Sequence, residues 1–455
     1  MTMRALHVLC AVAVAVALAA PARADDDLDV PAAPQPPPPP SEAPAPTPPA
    51  APVAVEARAQ PARLGAWVDA AKLDVRGYVQ AQGQLDQESQ DQLMQGGAQL
   101  NRDGFVVRRA RIAVTRWWTY AGLAFELDAN TIAGAAIGLR RAEAILAWPG
   151  PGGDAPPVQV AVGLTDIPFG RELIEPSQQR AFMERSTASL ALFPGEPDIG
   201  ARVWGAYRQF RYALAVLAGE PINERNGFNR ADPNAAKDVV GRFGVDTAPV
   251  GWLTVAGGVS FVVGRGFHPG RDATKDSLQW RDLNENGAVE LGELFSVPGA
   301  AAVPSSNFDR WALGGDLAIG VRSALGWTRF AAEVTVASNL DRGLFIADPV
   351  VAGSDLRHLG AYALVMQDLG AHAFAGARLD YYDPNLDAFD ARGGMLLPRD
   401  ETITTISALG GARLPHGVRL SVQLDLILDH LARDGQGVPA DLANNRVTAR
   451  LQVDL

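Results

Sequence analysis

The sequence predicts an all-β protein: a transmembrane antiparallel up-and-down β-barrel of about sixteen strands with a pore-constricting internal loop. Three observations support this fold class. From Leu73 onward, segments of about ten residues alternate apolar and polar side chains, as strands with one lipid face and one water face do. Long polar connections alternate with tight turns. No run of about 18 apolar residues occurs, so membrane-spanning helices are excluded.

The alternation is clearest in residues 446–455. Successive side chains of a strand point to opposite faces. One face here is apolar, and its members are Val447, Ala449, Leu451, Val453 and Leu455. The same parity in two other segments predicts a set of lumen-facing side chains: Arg76, Tyr78, Gln80, Gln82, Arg419, Ser421, Gln423 and Asp425. We therefore expect a polar lumen, and a barrel of about sixteen strands leaves room for an aqueous channel.

Each candidate strand is long enough to cross a bilayer when tilted. The candidates are Leu73–Leu85, Gly104–Thr115, Tyr120–Asp128, Ile137–Trp148, Val158–Thr165, Asp198–Arg208, Phe210–Gly219, Asp238–Asp246, Trp252–Gly264, Arg310–Val321, Gly326–Ser338, Leu356–Gln367, Gly370–Asp380, Glu401–Gly411, Val418–Asp429 and Asn445–Leu455.

Connection lengths and tryptophans orient the barrel. Tight connections are Arg116–Thr119, Gln209, Arg322–Leu325 and Asp368–Leu369. Long connections are Asp86–Asp103, Asp166–Pro197, Glu220–Lys237, Arg265–Asp309, Asn339–Asp355 and Tyr381–Asp400. Short turns of such barrels face the periplasm and long loops face outward. A group of tryptophans lies at or beside the short turns and predicts an aromatic girdle at the inner interface: Trp117, Trp118, Trp148, Trp252 and Trp327.

The N-terminal residues predict export. Arg4 precedes the apolar run Ala5–Ala20, and Ala22-Arg23-Ala24 is typical of a cleavage site. We therefore predict a signal peptide over residues 1–24, a disordered Pro-rich periplasmic tether over residues 25–66, and the barrel over residues 67–455. The single cysteine, Cys10, lies in the signal, so disulfides and thiolate metal sites are excluded from the mature chain.

The predicted tether has thirteen prolines between Pro31 and Pro61. Proline fixes φ and removes a backbone donor, so this stretch favours extended polyproline II and buries no core. It is either a spacer or a segment that contacts the cell wall or a periplasmic partner, and the sequence leaves both open.

The connection Asp166–Pro197 differs from the other long connections because apolar residues are mixed with its charges. They are Ile167, Phe169, Leu173, Ile174, Phe182 and Met183. A freely solvated loop has no need of them. We infer that this connection packs on the wall inside the lumen and narrows the pore.

Several motifs resemble those of the phosphate-selective porin O and P family. They are the Ile-Pro-Phe-Gly-x-Glu stretch (Ile167–Glu172), the Arg-Ala-Phe-Met-Glu-Arg block (Arg180–Arg185), the Leu-Phe-Pro-Gly turn (Leu192–Gly195), Asp198-Ile199-Gly200, and Val239–Phe243. The resemblance extends roughly from Leu73 to Leu455. It implies a sixteen-stranded outer-membrane barrel in contact with lipid, a homotrimer, and a channel with a loop folded into the pore.

Arginines are the candidate solute-binding residues, since guanidinium groups mark anion and phosphate pores. We expect Arg171, Arg180 and Arg185 near the constriction, and Arg202, Arg208 and Arg242 on the wall. The expected partners are small anions such as phosphate, or other small solutes. The alternative is that the arginines reflect coding bias and are paired with lumen carboxylates such as Glu333, Asp425 and Asp454.

The external connection Arg265–Asp309 contains a twelve-residue pattern typical of an EF-hand-type calcium loop, running from Asp282 to Glu293. The predicted Ca²⁺ ligands are Asp282, Asn284, Asn286, the carbonyl of Ala288, Glu290 and Glu293. Gly287 allows the sharp turn that such loops need. The alternative is a solvated acidic turn. We expect Ca²⁺ to order this loop at the pore mouth and to have no catalytic role.

The sequence favours an outer-membrane diffusion channel for small hydrophilic solutes, with anions or phosphate preferred. The alternative is a non-conducting barrel that anchors the envelope through the tether. No G-x-S-x-G or H-E-x-x-H motif occurs, and the histidines beyond the signal are dispersed, so we expect neither an enzyme nor a cofactor required for function. The basic residues form no stripe, which argues against nucleic-acid binding.

Overall fold

A computed structural model describes residues 72–91, 100–132, 134–148, 156–220, 232–392, 394–433 and 438–455. The predicted signal peptide and tether lie outside the described residues. Among the helices of the described part, none is long and apolar enough to cross a membrane.

Antiparallel strands form one closed barrel, in which every strand pairs with its neighbours in chain order. The sixteen strands are β1 (Asp74–Asp86), β2 (Gly104–Trp117), β3 (Ala121–Asn130), β4 (Ala136–Trp148), β5 (Val158–Asp166), β6 (Pro197–Tyr207), β7 (Phe210–Leu217), β8 (Asp238–Val250), β9 (Leu253–His268), β12 (Ser306–Ser323), β13 (Gly326–Ser338), β14 (Arg357–Leu369), β15 (Ala373–Asp383), β18 (Ile403–Leu414), β19 (Val418–Asp429) and β22 (Arg446–Asp454). The last strand, β22, pairs with β1 from Tyr78↔Asp454 to Asp86↔Arg446 and so closes the barrel.

The remaining elements of the described chain lie in the connections. Three short hairpins are β10–β11 (Ser277–Trp280 and Leu294–Val297), β16–β17 (Phe389–Arg392 and Met395–Pro398) and β20–β21 (Ala432–Arg433 and Pro439–Ala440). Two short helices are α1 (Thr187–Leu192) and α2 (Pro349–Ala352), and a 3₁₀ turn covers Leu291–Glu293.

The predicted fold class is confirmed, because all the candidate segments form barrel strands. Several strands are longer than predicted. For example, β9 continues to His268 and β12 begins at Ser306. These ends extend toward the long connections, where backbone pairing continues after the apolar alternation stops.

Side-chain parity matches the prediction on both faces. The outward residues of β19 and β22 are exposed, among them Leu420, Val422 and Leu451. Their inward neighbours Gln423 and Gln452 are buried within the barrel. In the absence of lipid an apolar outward band appears as exposed surface, and such a band is what faces the membrane in barrels of this class.

The tryptophan prediction is only partly correct. Trp118, Trp148 and Trp252 are exposed at or beside short turns, as an interfacial girdle requires. Trp117 and Trp327 also lie at the short-turn rim, but the pairing register places them on the lumen face. Trp117 follows the parity of Arg111, and Trp327 follows that of Glu333. The aromatic girdle is therefore smaller than the sequence suggested. Closeness to a turn does not determine whether a side chain faces the lipid or the lumen.

Candidate functional site

The connection between β5 and β6 lies inside the barrel, as predicted. Its apolar residues Ile167, Phe169 and Leu173 are buried in one cluster with wall residues such as Leu217 and Val262. A second cluster joins Phe182 and Met183 of the same connection to Met366, Phe374 and Leu409 of the wall. Ile174 is the exception, because it is exposed. The predicted polar lumen is therefore wrong in part, since the wall provides apolar surface for this loop. We call residues 167–196 the internal loop.

The start of the internal loop shows why its first motif has these residue types. Gly170 has φ +58°, and a Cβ there would lie 2.0 Å from Glu333 Oε1. A side chain at this position would strain the backbone and displace the Glu333 carboxylate. The close approach of Gly170 to this carboxylate lets the backbone N–H groups of Arg171 and Glu172 donate to Glu333 Oε2 at 2.9 and 3.1 Å. Phe169 then packs on Phe193, with ring centroids 4.8 Å apart.

The internal loop makes hydrogen bonds to strands on several sides of the barrel. Ser177 Oγ contacts Tyr78 OH of β1 at 2.6 Å. Met183 N donates to Gln423 Oε1 of β19 at 2.9 Å. Thr187 N donates to Asp380 Oδ2 of β15 at 2.7 Å. Since these strands are spread around the circumference, the loop crosses the lumen and constricts it.

Glu184 is the first of two carboxylates that fasten the internal loop. Arg108 donates to it from Nε and Nη2 at 2.6 and 2.9 Å, and Arg109 from Nη2 at 3.0 Å. Arg450 approaches to 3.5 Å. Burial alone would raise the pKa of Glu184, but the charges of Arg109 and Arg108 outweigh it, so this pKa lies far below that of an ordinary glutamate. The carboxylate is therefore ionised at neutral pH.

Glu196, at the end of the internal loop, is the second carboxylate that fastens it. Its carboxylate lies 2.9 Å from Arg140 Nη2, 3.4 Å from Arg111 Nη1 and 3.3 Å from Arg180 Nη2. Burial opposes ionisation, yet the neighbouring guanidinium charges hold the pKa of Glu196 well below its usual range. The two carboxylates thus fix the second half of the loop to arginines of β2, β4 and β22.

Two β-bulges supply these arginines. Gln80 pairs with Arg109 and Ala81 with Val107, so Arg108 is an extra residue in β2. Likewise Glu126 pairs with Arg141 and Leu127 with Leu139, so Arg140 is an extra residue in β4. A bulge breaks strict alternation and re-aims a side chain. As a result, both members of each adjacent arginine pair contact lumen carboxylates, Glu184 for the first pair and Asp166 for the second.

The six predicted arginines have different surroundings in the structure. Arg180 pairs with Glu196, Arg202 with Glu143 at 2.9 Å, and Arg242 with Asp316. Arg185 is buried in the loop and donates to the carbonyls of Ser189 and Pro194, both at 3.3 Å. Burial lowers the pKa of Arg185 to about 10.

The wall assignment of Arg208 is wrong. This residue has φ +54° in the tight turn after β6 and stacks on Tyr207, with 5.5 Å to the ring centroid. The strand ends one residue before it, so its side chain does not follow the lumen parity.

Arg171, near the start of the internal loop, is less exposed than Arg208 but borders open space inside the barrel. Its side chain is half-buried and lines a space on the short-turn side of the loop. Its guanidinium makes no hydrogen bond or salt bridge to any residue that the structure describes.

The arginines have carboxylate partners, but not the ones predicted. Glu333 accepts backbone N–H groups of the loop, and Asp425 accepts from Ser407 and Gln423. Asp454 accepts from Gln452. The actual partners include Glu184 and Glu196, which the sequence interpretation missed. The adjacent pairs Arg108-Arg109 and Arg140-Arg141 were the available signal, because strict alternation would send one arginine of each pair into lipid at a cost of several kcal/mol.

Two spaces flank residues 171–180 of the internal loop. One, of about 340 Å³, is bounded by Arg171, Glu175 and the wall from β8 to β15. The other, of about 190 Å³, is bounded by Ile174, Ser177 and the wall from β1 to β5. The loop therefore divides the vestibule on its short-turn side into two compartments.

The predicted calcium ligands lie in the turn between β10 and β11. Asp282 Oδ2 accepts from Gly287 N at 2.7 Å, and Gly287 has φ +71°, the left-handed conformation expected for position 6. Glu293 accepts from Trp280 Nε1 and Leu283 N, both at 3.0 Å. The hydrogen bond from Trp280 lowers the pKa of Glu293.

The fit to calcium is incomplete. Glu290 Oε1 accepts from Asn286 Nδ2 at 3.0 Å, so two predicted ligands bind each other. The described residues contain no group of three or more Asp, Glu, His or Cys placed to hold one metal ion. Calcium binding at Asp282, Asn284, Asn286, Ala288, Glu290 and Glu293 stays a prediction.

Comparisons with solved structures find distant barrels. The trimer form of in-vitro folded OmpT of Vibrio cholerae is 8% identical, with 84% of this chain and 99% of that chain covered and a TM-score of 0.46. The outer-membrane channel DcaP of Acinetobacter baumannii is 10% identical, with 84% and 97% covered and a TM-score of 0.49. OprB of Pseudomonas putida is 12% identical, with 86% and 95% covered and a TM-score of 0.49. No curated protein matches significantly.

A family model described as phosphate-selective porin O and P matches residues 79–252. This range contains the internal loop and the bulges that fasten it, which are the features that define the constriction. The match and the closed barrel together support a porin channel in the outer membrane. The resemblance of this chain to the phosphate-selective porin O and P family is therefore confirmed over residues 79–252.

Proposed function

We propose that this chain is a diffusion channel for small hydrophilic solutes with a weak preference for anions. The observation that carries the proposal is the internal loop. Glu184 and Glu196 fasten it to the wall on one side of the barrel, its bonds to Glu333 and Asp380 fasten it on the other, and open space remains on its short-turn side. A loop that only filled the barrel would need neither charged compartments nor a cation facing them.

A strong phosphate preference is not what the charges favour. Of the six predicted arginines, three are paired with carboxylates, one bonds loop carbonyls and one lies at a turn. Arg171 is the one that borders open space inside the barrel and makes no hydrogen bond or salt bridge from its side chain among the described residues. One such cation biases the potential of a pore without forming the arginine ring that marks a selective anion pore. We therefore expect modest anion selectivity, and a homotrimer as the family resemblance implies.

Planar-bilayer recording tests the function. The purified protein should give single-channel steps, and the reversal potential under a KCl gradient should show slight anion preference. Arg171→Gln should move that potential toward cations. Arg208→Gln is the matched control, because it removes the same charge from a turn outside the lumen and should change nothing.

Two results would contradict the proposal. A protein that folds but never conducts would support the alternative of a structural anchor with an N-terminal tether. Equal reversal potentials for Arg171→Gln and the wild type would remove Arg171 from the selectivity determinants.

A further inference from the structure

The larger compartment of the vestibule has an apolar wall. Its lumen-facing wall residues include Ala256, Ala318, Ala331 and Leu364, all half-buried. The smaller compartment is lined by Leu173, Ile174 and Pro176 of the internal loop and by charged wall residues: Arg76, Arg111, Glu126, Arg140, Arg141 and Asp166. Charged residues therefore line both compartments, and the wall of the larger one also has a patch of apolar side chains. An apolar space with a few polar groups is the usual form of a small-molecule site, and the volume of about 340 Å³ is large enough for a small ligand.

Two charges of opposite sign face this apolar wall from the internal loop. Arg171 and Glu175 lie one turn apart, with Glu175 N donating to Arg171 O at 3.1 Å. Both line the larger compartment. Neither side chain makes a hydrogen bond or a salt bridge within the described part of the chain, and they do not pair with each other.

The other charged groups around this compartment already have partners. Arg180 pairs with Glu196 at 3.3 Å, and Arg329 with Asp368 at 3.0 Å. Arg378 lies 3.5 Å from Glu172 and donates to the Glu184 carbonyl at 2.8 Å. Asp246 lies 3.9 Å from Arg211. One cation and one anion remain, so the compartment can satisfy a ligand that carries both charges.

We propose that the larger compartment binds small zwitterions that carry an apolar side chain, the chemistry of an apolar α-amino acid. The ligand carboxylate pairs with Arg171, its ammonium group pairs with Glu175, and its side chain packs on Leu364 and the neighbouring alanines. A simple anion would be attracted by Arg171 and repelled by Glu175. A simple cation would be attracted by Glu175 and repelled by Arg171. Charge-assisted hydrogen bonds are the strong ones, so satisfying both groups favours the zwitterion.

This inference rests on the proposed function, because the ligand reaches the site through a water-filled lumen. The experiments distinguish a failure of the proposed channel from a failure of the proposed site. Binding without single-channel steps would overturn the channel and leave the site, whereas steps without binding would overturn the site and leave the channel.

Isothermal titration calorimetry on the purified full-length protein in detergent tests the site with three ligands that share one phenyl ring. They are L-phenylalanine, 3-phenylpropanoate and 2-phenylethylamine, each corrected for heat with detergent alone. At pH 7 phenylalanine should bind at least about tenfold more tightly than either singly charged ligand, as expected for one charge-assisted bond. Glycine, which lacks the side chain, should bind more weakly than phenylalanine.

The variants assign the two ends of the ligand. Arg171→Gln should weaken the binding of phenylalanine by about tenfold. It should leave the affinity for 2-phenylethylamine unchanged or increase it. Glu175→Gln should weaken the binding of phenylalanine by a similar factor. It should leave the affinity for 3-phenylpropanoate unchanged or increase it. Arg76→Gln, in the smaller compartment, is the control and should leave phenylalanine binding unchanged. The proposal is overturned if 3-phenylpropanoate or 2-phenylethylamine binds as tightly as phenylalanine, if phenylalanine does not bind, or if the three variants behave alike.

Discussion

At the residue scale, Glu175 makes the charge of the vestibule depend on pH. Burial raises the pKa of Glu175 above its ordinary value, although Arg180 and Arg171 lower it in part. The carboxylate therefore takes up its proton at a higher pH than an exposed glutamate does. Protonation leaves Arg171 as the unbalanced charge in the larger compartment.

We therefore predict that acidification increases anion preference. The reversal potential under a KCl gradient should shift toward anions as the pH falls from 7 into the range above about 4.5, where ordinary glutamates are still charged. Glu175→Gln should show a stronger anion preference than the wild type at pH 7 and should lose this pH dependence. A wild-type shift toward cations, or an unchanged shift in Glu175→Gln, would contradict the assignment.

Residue types were easier to predict than their partners. The sequence identified the loop arginines Arg171, Arg180 and Arg185 as residues of the constriction, and the structure places all three in the internal loop. It did not distinguish Arg171, which faces open space, from Arg185, which bonds loop carbonyls. That distinction depends on contacts between residues distant in sequence, and alternation contains no information about them.

At the scale of elements, the internal loop is held in place by charge. Three arginines from β2 and β22 surround Glu184, and a hydrogen bond to a charged group contributes about 1.5–3 kcal/mol. The depressed pKa of Glu184 means that this stabilisation is complete at neutral pH and is lost only as the pH falls below the range of ordinary glutamates.

We predict that Glu184→Gln loosens the internal loop. The variant keeps the shape of the side chain but leaves Arg108 and Arg109 without a counter-charge, so the docked loop loses a few kcal/mol. Single-channel conductance should rise and the open-channel current should become noisier. Glu143→Gln is the control, since Glu143 pairs with Arg202 on the wall and does not contact the loop. Equal currents in the wild type and Glu184→Gln would show that this carboxylate does not fasten the loop.

The turn between β10 and β11 leads to a prediction about calcium. Ca²⁺ would have to recruit Glu290 and Glu293 from their present hydrogen bonds, so we expect weak binding, in the range of about 10⁻⁴–10⁻³ M typical of extracellular modules. Limited proteolysis near Asn284 should be slower with millimolar Ca²⁺ than with chelator, and Glu293→Gln should abolish the difference. Equal cleavage with and without Ca²⁺ would refute the site.

Strands were predictable because their signal is local. A period of two residues identifies a lipid-facing strand without knowledge of its partner, as β19 illustrates with identical predicted and observed bounds. The bulges at Arg108 and Arg140 were not predicted, because they depend on which residue of the next strand lies opposite. The path of the internal loop is non-local in the same way.

At the scale of the whole molecule, closure of the barrel depends on one seam. The strand β22 pairs with β1 on one side and with β19 on the other. Without it, both neighbours would expose unpaired N–H and C=O groups to hydrocarbon, at a cost of several kcal/mol for each group. Local propensity cannot compensate, because membrane barrels are viable only when closed.

We predict that deleting residues 446–455 prevents folding of the barrel. The full chain should fold into detergent or lipid and migrate differently on a detergent gel before and after boiling, whereas the deletion variant should show one band and protease sensitivity throughout. The control replaces a longer segment, residues 277–297, with a short Gly-Ser link, which removes the β10–β11 hairpin and no barrel strand. This variant should still show two bands on the gel. A heat-modifiable form of the 446–455 deletion would show that the remaining strands can close without β22, which would refute the seam as the requirement for folding.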